Sequence, residues 1–179
     1  LCYQSYDDET MWNYEVGIKS RLGNGATLNA AVFYADIENL QATLDAGSCS
    51  SRISFNVPES KTSGVEIEYV SQPTDYFTFS ISGSAVNAEF KSTVIDATGS
   101  VLGGLENGNR LASVPEIQLA ATATYDFPIA LGDAYISATV HHVGDRITQP
   151  TDQLYGSGDF ASGLVFGGAS GADITSLDL

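Results

Sequence analysis

The residues best equipped for chemistry are few, and their spacing works against most of it. His141 and His142 are the two histidines, with Asp145 close behind. Imidazole and carboxylate are the donors a metal ion or a ferric chelate would need. Neighbouring residues on a strand point to opposite faces, so the two rings cannot close on one ion, and plain polar positions at a strand end are the simpler reading. Asp7, Asp8 and Glu9 form the densest acidic cluster, and Asp152 and Asp159 stand in the last long loop. Oxygen donors suit calcium, but the spacing of a helix–loop–helix calcium site is absent, which leaves solvated loop carboxylates. The segment GSGDFASGLVFGGASGAD has the flexible backbone of a phosphate-binding loop without its lysine. No GxSxG, HExxH or CxxC occurs, and neither Cys2 nor Cys49 has a neighbouring histidine. The sequence therefore predicts no enzyme, and it points to no cofactor.

The elements that would position these residues are long alternating runs. From Glu9 to Gln41, Trp12, Tyr14, Val16 and Ile18 alternate with Asn13, Glu15, Gly17 and Lys19. A turn follows at Gly23, Asn24 and Gly25, and Leu28, Ala30, Val32 and Tyr34 then share one face. Side chains with a period of two and a turn that tolerates positive φ make a β-hairpin. Its second run, 25–41, is roughly 56 Å long at 3.3 Å per residue, well beyond the usual globular strand. Further strands are predicted near 53–71, 76–90, 114–127, 133–147 and 173–179, after the first pair at 9–22 and 25–41. Pro58 lies near the start of the third, where a missing N–H is tolerated.

The connections alternate. Turns of about 3, 4 and 6 residues separate loops of about 11, 23 and 25 residues, at 42–52, 91–113 and 148–172. Short turns at one end and long loops at the other match an antiparallel up-and-down transmembrane β-barrel with periplasmic turns and extracellular loops. Tyr69, Phe77, Phe79 and Tyr125 fall beside short turns on the apolar face, as a periplasmic aromatic girdle would. The alternation places Trp12, Tyr14, Val16, Leu28, Val32, Val65, Ile67, Phe79, Leu119 and Ile136 towards lipid. Glu15, Lys19, Glu66, Glu68, Gln118 and Thr122 would face the lumen.

Among the 179 residues, 22 acidic against 7 basic give a net charge of −15. That excludes nucleic acid as a partner, because phosphate binding needs clustered Lys and Arg. No run is apolar enough for a membrane helix, which leaves barrel strands open. The expectation is an incomplete barrel segment of about six to seven strands. A secreted soluble β-sandwich that binds carbohydrate or calcium through acidic loops is the alternative, and a passive outer-membrane porin is another.

Several stretches resemble one known family. ETMWNYEVGIK at Glu9–Lys19, Phe33 and Tyr34 followed by Ile37–Gln41, SGVEIE at Ser63–Glu68 and NRLASVP at Asn109–Pro115 are similar to the C-terminal part of the barrel of TonB-dependent outer-membrane receptors. The likeness runs from about Glu9 to Arg146. It implies a 22-stranded barrel in the Gram-negative outer membrane, closed by a plug domain that this stretch does not contain. It also implies active uptake of a scarce ligand such as siderophore-iron, cobalamin or carbohydrate, driven by the TonB complex through the missing N-terminal part. Outer-membrane lipid would surround it.

Two expectations complete this reading. Cys2 precedes the first strand and Cys49 lies in the first long loop, so both fall at the same end, where a disulfide forms if their Cα atoms come within about 7 Å. The long loops should form part of the ligand entrance, since loops on a rigid scaffold carry recognition. Asn107, Asn109, Arg110, Asp152 and Tyr155 are the loop candidates for ligand contact. The acidic balance favours a neutral or cationic ligand over an anionic one.

Overall fold

The computed structural model describes residues 6–45, 52–153 and 170–179. Six long strands follow one another: β1 (Thr10–Arg21), β2 (Thr27–Asp45), β3 (Arg52–Thr74), β4 (Phe77–Phe90), β5 (Ile117–Ile129) and β6 (Gly132–Val143). The two-residue strands β7 (Arg146–Ile147) and β8 (Ser170–Gly171) pair with each other, and β9 (Ile174–Asp178) ends the chain. All pairing in the main sheet is antiparallel, in the order β1-β2-β3-β4-β5-β6-β9, so the long strands are hydrogen-bonded to their neighbours in sequence. This is an up-and-down meander.

Turn chemistry puts the short connections at one end. Leu22 N–H donates to the Ala26 carbonyl at 2.8 Å around a single 3-10 turn, and Gly25 takes φ 74°, which a side chain would resist. Asp75 and Tyr76 join β3 to β4, with a register shift between Ser71 and Thr74. Ala130 and Leu131 join β5 to β6.

The register fixes which residues share a face. One row runs Val16–Val32–Val65–Ala85–Ile117, and another Ile18–Ala30–Ile67–Gly83–Leu119. These rows form an apolar face. Rows in between form a polar face, among them Lys19–Asn29–Glu68–Ser82–Ala120–His141. Cross-strand bonds tie it together: Asn29 Nδ2 donates to Glu68 Oε2 at 2.8 Å, and the hydroxyls of Thr122 and Thr139 meet at 3.0 Å. Gly64 lies on this face beneath the Phe33 ring, where a Cβ would stand 2.6 Å from its Cζ.

Among the described residues nothing covers the apolar face. Val16 is 74% exposed, Trp12 65% and Ile136 64%. A soluble sandwich buries that face against a second sheet, so the sandwich alternative does not fit this arrangement.

The loop 42–52 is shorter than the sequence suggests. Ala42–Asp45 continues β2 and pairs with Arg52–Phe55, so Pro58 sits inside β3 rather than near its start. The break opposite Pro58 is Asn39, at φ 57°. Across it the buried positions of β2 change from Ala35 and Ile37 to Ala42 and Leu44, and those of β3 from Ser60 to Val57. One left-handed residue thus shifts the phase of the alternation, and Pro58, with no N–H to pair, tolerates the gap. Asn56 closes it by donating from Nδ2 to the Asn39 carbonyl at 2.8 Å.

Three further boundaries differ from the sequence reading. The fifth strand starts at Ile117 rather than 114, because 108–116 runs irregularly beside the end of β4, with Ser113 at φ 65°. The sixth ends at Val143, and Arg146–Ile147 pairs with Ser170–Gly171 instead. That pairing places part of the loop 148–172 in a strand.

Candidate functional site

The end of the sheet that carries the long connections is the only place where the described residues build a packed core. Phe90, Val57, Leu44, Ala42 and Leu105 pack together, with Leu40, Phe55, Val94, Leu102 and Leu111 around them. Val57 and Leu105 are fully buried. The connection 91–116 therefore folds over the strand ends instead of standing free. Its first part is a small hairpin, with Ile95 bridged to Val101 and Leu102 N–H bonded to the Val94 carbonyl at 2.8 Å. Gly103 (φ 54°) lets the chain pass against Leu44, and Gly104 (φ 78°) against the Pro150 carbonyl, where a Cβ would collide with backbone.

At the hairpin tip Asp96 accepts from Thr98 Oγ1 at 2.6 Å, Thr98 N–H at 2.7 Å and Ser100 N–H at 3.0 Å. The Thr98 hydroxyl bond, with the amides beside it, holds this carboxyl below its ordinary pKa.

Arg110 joins this connection to the next. Its Nη1 donates to Asp145 Oδ2 at 2.7 Å, its Nη2 donates to the Asp145 carbonyl at 2.9 Å and to the Val114 carbonyl at 3.4 Å, and Nε lies 3.4 Å from Glu116 Oε1. The backbone of the same residue is held by Gln153. Arg110 N–H donates to Gln153 Oε1, and Gln153 Nε2 donates to the Arg110 carbonyl, both at 2.8 Å. Asp152 is buried, and its Oδ2 accepts from Gln149 N–H at 2.9 Å to fix the 3-10 turn Pro150–Gln153.

Of the loop candidates, the structure brings Asn109, Arg110 and Asp152 into one neighbourhood through internal bonds. Asn109 Nδ2 donates to the Gly104 carbonyl at 2.9 Å. Asn107 is exposed near the edge of the connection, with its N–H on Thr93 Oγ1 at 3.1 Å. Tyr155 and Asp159 lie outside the described residues, as do Cys2 and Cys49. His141 and His142 belong to different rows: His141 pairs with Ala120 on the polar face, while His142 pairs with Leu119 and its Nδ1 is 2.9 Å from Thr175 Oγ1. Asp7 and Glu9 are anchors rather than a cluster of donors. The Asp7 N–H and carbonyl bond Asn56, and Glu9 Oε2 accepts Gln41 N–H at 3.0 Å. Among the described residues no group of three or more His, Cys, Asp or Glu is placed to hold a metal ion.

A single meander with one bare apolar face, short turns at one end and packed long connections at the other is a piece of a barrel wall. Residues 3–169 match the family described as TonB dependent receptor-like, beta-barrel. The chain belongs to that family.

Solved structures share its fold. The ferric yersiniabactin uptake receptor FyuA from Yersinia pestis superposes with a TM-score of 0.67 at 22% identity, covering 95% of this chain and 22% of that one. The ferric preacinetobactin receptor BauA from Acinetobacter baumannii gives 0.62 at 18% identity, covering 93% and 21%. The FrpB iron transporter from Neisseria meningitidis gives 0.62 at 16%, covering 96% and 23%. The chain thus spans about a fifth of the length of these receptors. TonB-dependent receptors are proteins of the Gram-negative outer membrane, and they are transporters rather than enzymes. This stretch is a piece of barrel wall of that family.

Packing among loop residues was the signal that sequence reasoning missed. Val94, Leu102, Leu105 and Leu111 are scattered without period through a Gly- and Asn-rich segment, and the one available clue was that a loop of this length carries so many large apolar residues.

Proposed function

We propose that the chain is part of the barrel of a receptor that takes up a ferric chelate across the outer membrane, energised through the TonB complex. The family match over 3–169 carries this reading. The choice of iron among scarce ligands is supported by the three similar structures, which are two ferric-siderophore receptors and an iron transporter. The apolar face meets lipid and the polar face meets the interior of the barrel, since a bare row such as Val16–Val32–Val65 is stable only in an apolar surrounding.

The charge balance bears on the charge of the chelate. Arg110 is committed to Asp145 and Glu116, and the chain carries a net charge of −15. A neutral or cationic chelate fits such a wall better than an anionic one.

Uptake of radio-iron presented on neutral, cationic and anionic chelators tests this, with the full-length receptor expressed in a strain lacking its own iron receptors. Accumulation that requires TonB and favours a neutral or cationic chelator is expected. Accumulation that persists without TonB would mark a passive pore. No iron uptake, together with TonB-dependent uptake of cobalamin or a sugar, would overturn the ligand class.

A further inference from the structure

Two connections at the mouth meet at one residue. Arg110 carries three side-chain hydrogen bonds, to Asp145 Oδ2, the Asp145 carbonyl and the Val114 carbonyl, an ion pair to Glu116, and a reciprocal pair of backbone bonds with the Gln153 carboxamide. Further contacts reinforce the same junction: Ser113 N–H donates to the Ile147 carbonyl at 2.7 Å, and Gly104 lies against Pro150. From this junction the chain leads back to Leu105, fully buried among Phe90, Val57 and Leu44.

We propose that Arg110 is the joint of a fixed strap: the connection 91–116 and the segment 144–153 form one rigid body across the strand ends. A planar guanidinium that forks onto a carboxylate and two carbonyls fixes direction as well as distance, which an ammonium cannot do. A loop that opens on its own would need few buried apolar contacts and exposed backbone bonds. Here the loop has a core beneath it and a neighbour bonded to its backbone. Arg110 is thereby a positioning residue, and its guanidinium is directed at the protein itself. This goes beyond the uptake reading and does not depend on which ligand is carried.

The test uses the full-length receptor in lipid vesicles, with Cys2 and Cys49 replaced by serine. Nitroxides at N107C and T148C report the distance between the two connections by pulsed electron paramagnetic resonance. The parent should give one narrow distance. Arg110→Gln should widen the distribution at least about twofold while heat-modifiable migration still reports a folded barrel. Arg110→Lys should fall in between, because it keeps charge for Asp145 and loses the fork. Gln153→Ala and Asp145→Asn remove bonds to the joint without touching Arg110, and they decide the matter if Arg110→Gln does not insert. A broad distribution in the parent, or a narrow one unchanged in Arg110→Gln or, should that variant not insert, in both substitute variants, would overturn the proposal.

Discussion

On the turn side of Asn39 and Pro58 the sheet is a single layer, apolar on one face and polar on the other. On the loop side the same strands sit beneath a core of Phe90, Val57, Leu44 and Leu105. The two regions use the same alternating residues and stabilise them by different means. In the first, apolar side chains depend on the surrounding medium, and Val16 and Trp12 remain bare within the chain. In the second the chain supplies its own cover, from a connection only four of whose larger apolar residues reach inward. A barrel wall can thus be laterally dependent along its length and locally self-sufficient at its mouth.

The greatest loss of stability should come from the self-sufficient region. Phe90→Ala removes a ring that is 2% exposed. In the full-length receptor it should cost about 3 to 5 kcal/mol in a urea titration of the folded barrel, as large-to-small core substitutions do. Loss of protease resistance in 91–116 should accompany it. A cost under about 1 kcal/mol would mean that the core is not packed as described.

Next comes the dependent region. Ile67→Arg, in the middle of the apolar face, should cost roughly 2 to 4 kcal/mol of folding free energy in bilayers. Its sequence neighbour Glu68 lies on the opposite face, so Glu68→Gln should change bilayer stability far less. Equal effects at the two positions would erase the distinction between the faces.

The smallest effect belongs to the hairpin tip, which lies outside both regions. Because hydrogen bonds from Thr98 and Ser100 depress the pKa of Asp96, its contribution is complete above the ordinary aspartate range and fades as pH falls through the lowered value. Amide exchange at Thr98 and Ser100 should therefore accelerate on acidification, and Asp96→Asn should remove that dependence. Acceleration that persists in Asp96→Asn would assign it to another group.

The sheet was legible because period-two alternation survives in the lower strands. Val65, Ile67 and Tyr69 against Glu66 and Glu68 need no tertiary knowledge to place on two faces. The opposed placement of His141 and His142 was legible for the same reason. The phase change was not legible. Asn39 is an ordinary residue in a strand until its φ is known, and Pro58 signals a break without saying what pairs across it. The mouth was the least legible part. Arg110 and Asp152 are polar loop residues in the sequence, and only the fold reveals that one is bonded to Asp145 and the other buried under a 3-10 turn.

Two faces persist along β2 and β3 and exchange phase at Asn39 and Pro58. Single spin labels from 53 to 70 in the full-length receptor, read against a lipid-soluble and a water-soluble quencher, test it directly. Positions 65, 67 and 69 should respond to the lipid-soluble quencher and 66 and 68 to the water-soluble one. Beyond Pro58 the alternation should invert, with 57 protected from both. Equal accessibility at odd and even positions would rule out two faces, and one unbroken phase through Pro58 would rule out the exchange.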